Sequence, residues 1–310
     1  MKKCLIIYNS NSGKGNKKDF LKKFIETVQN KGYEVEAIQT KYRGHATEIV
    51  SKSPFVDLVL SIGGDGTCNE VVYGNLKRKE RLLTSHIPLG TTNDIGSMFG
   101  LTKNIFHNLN LILDGKARKI DICTINNRPF VYVAGFGKFM NVPYETPRDL
   151  KKRLGYVAYL IEGIKAFNDK TKSYEMSYTV DGEEYTGFYS FIIVSSANRI
   201  AGINNFYKDV KLDDNKFEVL LCNITKKSDI IKSLYYLKTH DITKIPGFYF
   251  HKTNNIKFKF KNFEKENWCI DGEEFENHRR EFEIKIINDY EMLLPKIIDN
   301  NLFIEGNNQN

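Results

Sequence analysis

The sequence predicts an α/β domain built on a doubly wound parallel sheet, followed by an antiparallel, β-rich domain of sandwich type. Three observations carry this. Up to about residue 120, short runs rich in Val, Leu and Ile alternate with amphipathic segments, the rhythm of strand–helix units. Beyond that point the apolar runs read mostly as strands, set apart by turn dipeptides such as Asn126-Asn127 and Asp181-Gly182. Two early strand ends also open onto loops crowded with glycine, hydroxyl and acidic side chains, as at the ligand edge of an open parallel sheet. The expected division is 1–125, 126–295 and a fraying tail over 296–310.

In order, Cys4 to Tyr8 is a strand, Asn9 to Gly15 a loop and Asp19 to Asn30 a helix. Tyr33 to Thr40 is a second strand, Ala46 to Ser53 a second helix and Phe55 to Ile62 a third strand. Thr67 and Asn69 are cap-type residues, so the next helix is expected over Thr67 to Leu76. Leu82 to Leu89 is a fourth strand, and Ile105, Leu109 and Ile112 stripe one side of a helix. Strands are then expected over 120–125, 130–134, 173–180, 185–195, 217–222, 255–260, 268–271 and 282–287. One helix interrupts them, with Thr146 as cap, Pro147 at its first position and Leu150 to Ile164 as its apolar stripe.

The chemistry concentrates in Ser61-Ile62-Gly63-Gly64-Asp65-Gly66-Thr67-Cys68-Asn69-Glu70. Glycine lets a phosphate or another backbone come close, and a helix N-terminus offers unpaired N–H groups. A loop made only to hold phosphate would not carry an acid, so Asp65 points to a divalent cation or a proton handled beside phosphates. Pro88-Leu89-Gly90-Thr91-Thr92-Asn93-Asp94 repeats the theme at the next strand end. The Asn9-Ser10-Asn11-Ser12-Gly13 loop is not a Walker A motif, because the G-x-x-x-x-G-K-[ST] frame is absent.

Together with a late Asp271-Gly272-Glu273, these segments resemble the diacylglycerol-kinase catalytic family in its bacterial soluble branch, over nearly the whole chain. The central G-G-D-G-T is shared with NAD kinases, whereas P-L-G-T-T-N-D and the late D-G-E are not. The resemblance implies an ATP-dependent lipid kinase making phosphatidic acid from diacylglycerol or a related lipid, with Mg²⁺ and ATP. It implies that Asn9, Ser10, Asn11, Ser12, Gly13, Thr40, Gly64, Gly66, Thr67, Asn69, Glu70 and Thr91 hold nucleotide. Asp65 and Asp94 would hold catalytic Mg²⁺, and Glu273 would accept the hydroxyl proton, with Asp65 as its rival. Lys211-Leu212-Asp213-Asp214-Asn215-Lys216-Phe217 is similar to a family turn that binds structural magnesium, here through Asp214 and the carbonyls of Lys211 and Lys216. Asn215 stands where glycine is usual, and Ser97 where the family often has arginine.

Composition narrows the class. The 310 residues carry a net charge of +8. Residues 1–120 hold 19 Lys+Arg against 11 Asp+Glu, while residues 121–310 hold 27 of each. A basic first domain suits a polyphosphate or an anionic surface. Nucleic acid is not expected, because no helix-turn-helix spacing, zinc finger or aromatic RNA motif is present. Five scattered cysteines without C-x-x-C fit a reducing cytoplasm, and no run of about 18 apolar residues exists to span a bilayer. The expected partners are ATP and a lipid met transiently at the inner face of the membrane, and a homodimer is an open expectation. The alternatives are a kinase of another hydroxyl (sphingoid base, phosphatidylglycerol or NAD) and a sensor that kept the fold without turnover.

Overall fold

The computed structural model describes residues 1–9, 17–90, 93–137, 173–200, 203–204, 206–223, 246–262, 267–276, 278–296, 298 and 302–304. The chain forms two compact units, Met1–Asp121 with Asn288–Asn310, and Ile122–Ile287. The second break lies earlier than residue 295, since the chain re-enters the first unit from Asn288.

Unit 1 begins β1 (Lys2–Tyr8), α1 (Lys17–Gln29), β2 (Tyr33–Gln39), α2 (His45–Lys52), β3 (Leu58–Gly63) and α3 (Asp65–Leu76). It continues with β4 (Thr84–Pro88), α4 (Asp94–Met98) and α5 (Ile105–Leu113). The strands are parallel in the order β2-β1-β3-β4, so their carboxyl ends (Tyr8, Gln39, Gly63 and Pro88) share one edge. Every residue of β3 and of β4 is buried; β3 accordingly reads as a largely apolar run, whereas β4 buries Thr84, Ser85 and His86 as well. Leu5, Ile7, Val59, Ala46, Val50 and Val71 close a core between this sheet and helices α2 and α3. The two helices meet at Gly74, where a Cβ would lie 2.6 Å from the Thr47 carbonyl oxygen.

In α5 the apolar stripe appears as expected, and Asn104 caps it by accepting from the His107 N–H at 3.1 Å. The central helix departs from expectation. It starts at Asp65 rather than Thr67, because Gly64 is extended (φ −85°, ψ −179°) and serves as N-cap. Its carbonyl accepts from the N–H groups of Thr67 and Cys68 at 3.0 and 3.3 Å.

The next strand, β5 (Lys116–Ile125), carries the chain into unit 2. There follow β6 (Arg128–Phe130), β7 (Val133–Gly137), β8 (Tyr174–Val180), β9 (Glu183–Tyr189), β10 (Phe191–Ser195), β11 (Arg199–Ile200) and β12 (Ile203–Asn204). The last are β13 (Phe217–Cys222), β14 (Phe248–Thr253), β15 (Asn255–Phe260), β16 (Trp268–Ile270), β17 (Glu273–Phe275) and β18 (Glu281–Leu294). Strands β14-β13-β10-β7-β16-β17 form one antiparallel sheet. In the other, the first half of β18 pairs with β15, β15 with β8 and β8 with β9, all antiparallel. Inward side chains of both sheets, among them Phe136, Trp268, Phe258, Phe260 and Phe282, make one aromatic core, as a sandwich requires.

The expected 185–195 strand is two strands in two sheets. The chain crosses between them at Ser190, whose N–H and hydroxyl both donate to the Cys222 carbonyl. Asn126-Asn127 and Asp181-Gly182 are two-residue turns with positive φ at both positions, the twist that a tight hairpin demands. The helix expected from Thr146 lies outside the described residues.

One buried group gives unit 1 a pH signature. His86 in β4 is 2% exposed and sits 2.8 Å from the Ser61 hydroxyl through Nδ1. Burial drives its pKa from 6.5 down to about 3, with the Ser61 contact opposing. The native state therefore binds fewer protons than the unfolded chain in that window. The stability contributed is complete above pH 6.5 and is lost as pH falls toward 3, with a slope of up to about 1.4 kcal/mol per pH unit. Chemical denaturation across pH will show this slope in the wild type, and subtracting the His86→Gln profile will isolate it.

Candidate active site

The carboxyl edge of the unit 1 sheet gathers most of the described candidate residues. Asn9 follows β1 and donates its N–H to the Ile62 carbonyl at 3.0 Å. Thr40 follows β2, and its N–H and hydroxyl both reach the Tyr8 carbonyl, at 2.9 and 3.4 Å. The loops after β3 and β4 then meet backbone to backbone. A Cβ on Gly90 would lie 2.7 Å from the Gly64 Cα and 2.9 Å from Asn93 Oδ1, so the approach requires glycine. The Leu89 N–H donates to the Gly63 carbonyl at 2.6 Å across the same junction.

The Asp65 carboxylate ties these loops together. Oδ2 accepts from the Asp94 N–H at 3.0 Å, and Oδ1 from the Ile95 N–H at 3.2 Å. Asp65 therefore satisfies the amino end of α4 from another loop, as a cap side chain would. The backbone before α4 turns at Asn93, which is left-handed (φ 52°); its side chain accepts from the Gly90 N–H at 2.6 Å and donates to the Gly90 carbonyl at 3.0 Å. Asparagine tolerates that conformation better than most residues. Asp65 is 7% exposed and Asp94 1%, so two carboxylates are held in a largely dry place at the sheet edge.

The other candidates divide. Gly66 lies in the first turn of α3, half-buried. Thr67 and Asn69 are buried, and the Thr67 side chain folds back over Gly63, where a Cβ would collide with it. Glu70 caps α2: its carboxylate accepts from the Gly44 N–H at 2.7 Å and the Ala46 N–H at 3.1 Å. Its carbonyl takes the Thr47 hydroxyl at 2.8 Å. Ser10, Asn11, Ser12, Gly13 and Thr91 lie outside the described residues.

In unit 2, Asp271 and Gly272 form the tight turn between β16 and β17, with φ of 46° and 85°. Asp271 is buried, and its carboxylate accepts from the N–H groups of Val131, Tyr132 and Val133 at 2.6, 3.0 and 3.1 Å. It anchors the turn, and Glu273 follows as the first residue of β17, half-buried. At the Asp214 turn, Asn215 is left-handed (φ 57°), as asparagine allows. Asp214 Oδ1 accepts from the Lys216 N–H at 3.1 Å, and Oδ2 pairs with Lys252 Nζ at 2.8 Å. Glu218, 1% exposed, lies 3.5 Å from the same ammonium. Burial pushes the Glu218 carboxyl up to about 7, with Lys252 opposing. For Lys252 burial pulls downward, but the Asp214 bond and the Glu218 charge outweigh it and the net direction is up.

Sequence reasoning named the segments holding Asn93 and Asp271 without giving either a positioning role. A signal existed for Asp271, an aspartate beside glycine where a turn demands positive φ; for Asn93 the signal was the residue type alone, since asparagine tolerates that conformation.

Acids beside glycine-walled backbone at the carboxyl edge of a parallel sheet suit a phosphotransferase. The comparisons make that class specific. Residues 3–125 match the family described as diacylglycerol kinase catalytic domain. A diacylglycerol kinase of Staphylococcus aureus (strain MRSA252) is 30% identical over 98% of this chain and 99% of its own length. One from Staphylococcus epidermidis (strain ATCC 12228 / FDA PCI 1200) is 32% identical over 88% of this chain and 86% of its own. The fold matches a crystal structure of a diacylglycerol kinase from Bacillus anthracis, with TM-score 0.75 and 24% identity over 94% of this chain and 97% of that one. The chain belongs to the diacylglycerol kinase family and is a kinase. Among the described residues, no helix is long and apolar enough to cross a membrane.

Removing the Asp65 carboxylate should cost stability before any chemistry is considered. Asp65→Ala leaves the Asp94 and Ile95 N–H groups without it, a loss of about 1–3 kcal/mol. Asp65→Asn keeps an amide oxygen there and should lose less; urea unfolding of both variants measures the difference. Gly90→Ala should lose a similar amount by forcing the two loops apart, about 1–3 kcal/mol in the same assay.

Proposed function

We propose that this kinase transfers the γ-phosphoryl group of ATP to the free hydroxyl of diacylglycerol, or a close relative, to give phosphatidic acid. The observation that carries the reading is the Asp65–Asp94 junction, two acids fixed against each other where two glycine loops touch. The donor chemistry suits magnesium, a hard cation that takes one or two carboxylates and fills its other positions with water and phosphate oxygens. Asp65 and Asp94 would hold the ion, directly or through water, and when bound it would offset the charge of the transferring phosphoryl group.

The rest falls to the chain's own residues. Asn9, Thr40, Gly64 and Gly66 line the nucleotide, with residues 10–13 and Thr91. Thr67, Asn69 and Glu70 act at one remove, by fixing the start of α3 and the start of α2. Glu273 takes the proton from the lipid hydroxyl as its oxygen bonds to the γ-phosphorus, and the bond from that phosphorus to the bridging oxygen of ADP breaks. The lipid is met at a membrane surface by transient, peripheral contact, favoured by the positive excess of the first 120 residues.

The test is transfer of label from γ-³²P-ATP to diacylglycerol in mixed vesicles, beside sphingosine, phosphatidylglycerol and NAD as competing acceptors. The wild type should label diacylglycerol, and Glu273→Gln should lower turnover by about 10²–10⁴-fold with its thermal unfolding unchanged. Asp94→Asn should likewise lose transfer and weaken the Mg²⁺ dependence. Label only in another acceptor, ATP binding without transfer, or full activity in Glu273→Gln would contradict the reading.

A further inference from the structure

The family resemblance implies a structural magnesium at the Asp214 turn, so the residues around Asp214 can be asked whether they fit one. Both oxygens of its carboxylate already have partners. Oδ1 accepts from the Lys216 N–H at 3.1 Å, and Oδ2 lies 2.8 Å from Lys252 Nζ. That ammonium also donates to the Asp209 carbonyl at 3.1 Å and stands 3.5 Å from Glu218 Oε1. Three oxygens from three residues thus surround a group with three donors. The arrangement follows from strand register: Glu218 on β13 pairs with Lys252 on β14, so the two side chains share one face of the sheet. Lysine at that position reaches the 209–216 turn from the neighbouring edge strand.

A magnesium ion on Asp214 would need an oxygen at about 2.0–2.1 Å. It would then crowd an ammonium that already sits on the same carboxylate, two cations sharing one anion at the edge of a buried site. Glu218 deepens the conflict. It is 1% exposed, and among the described residues its ion-pair partner is Lys252. Displacing the lysine to admit a metal would strand that carboxyl in the core.

We propose that in this chain the Lys252 ammonium takes the place of the structural magnesium, so that the 209–216 turn is fastened to β14 by a built-in cation and needs no metal. This does not rest on the choice of lipid acceptor, and it is tested without measuring activity. The nucleotide-free full chain is titrated with Mn²⁺ and free Mn²⁺ is followed by electron paramagnetic resonance, for the wild type and for Asp214→Asn. Thermal unfolding is recorded in EDTA and in MgCl₂. The two proteins should bind the same amount of Mn²⁺, since any ion held elsewhere is common to both. The wild-type Tm should differ by less than about 1 °C between EDTA and Mg²⁺. Lys252→Met should melt about 3–8 °C lower in either condition, because it leaves Asp214 and Glu218 without their cation. A Mn²⁺ site present in the wild type and lost in Asp214→Asn would overturn the proposal. So would a Mg²⁺-dependent rise in wild-type Tm that Asp214→Asn abolishes, or a Lys252→Met protein as stable as the wild type. Should Lys252→Met fail to fold, the wild-type and Asp214→Asn comparison still decides.

Discussion

One carboxylate sets the geometry of unit 1's functional edge. Asp65 begins α3, yet its two oxygens serve the N–H groups of Asp94 and Ile95, about thirty residues further along the chain. The helix it starts and the helix it caps are thereby locked in relative position. Gly64 and Gly90 make this close approach sterically open, and Asn93 bends the second loop so that the amides face the acid. Replace any of these with a bulkier or less permissive residue and the loops must separate, which moves Asp94 away from Asp65. The site is thus a product of backbone contact before it is a product of side-chain chemistry.

That arrangement recurs with other acids. Glu70 holds the start of α2 through Gly44 and Ala46, and Asp271 holds residues 131–133 through three N–H groups. In each case an acid inside a motif segment is committed to backbone amides that would otherwise be unsatisfied. Charge-assisted bonds of this kind are stronger than neutral ones, and buried amides without partners are costly. Loss of activity on removing such an acid therefore has two sources, and only variants matched for stability separate them.

The sequence made much of this legible. Strands β1 and β3 were visible as apolar runs because their central residues are buried, and α5 because its stripe is regular. Helix α4 was not legible, since five residues are too few for a periodic pattern. Strand β14 was missed because it is a half-exposed edge strand in which apolar and polar positions do not alternate cleanly. The start of α3 was misplaced because Thr67 and Asn69 look like caps, while the actual cap, Gly64, works through its backbone alone. The co-location of Asp65 and Asp94 followed from parallel strand order. The jobs of Asp65, Glu70 and Asp271 did not, because each partner lies tens of residues away and nothing in local spacing encodes it. Lys252 shows the same limit: its meeting with Asp214 depends on the register of β13 with β14.

The central claim is that the Asp65 carboxylate, held by two amides, fixes the position of Asp94. Amide hydrogen exchange at Asp94 and Ile95 tests it most directly, since those are the two donors. The account predicts strong protection at both positions in the wild type, and exchange at least about 10-fold faster in Asp65→Ala, with the amides of β4 unchanged. Exchange at both positions as fast as in an unstructured peptide, or protection that is indifferent to Asp65→Ala, would contradict it.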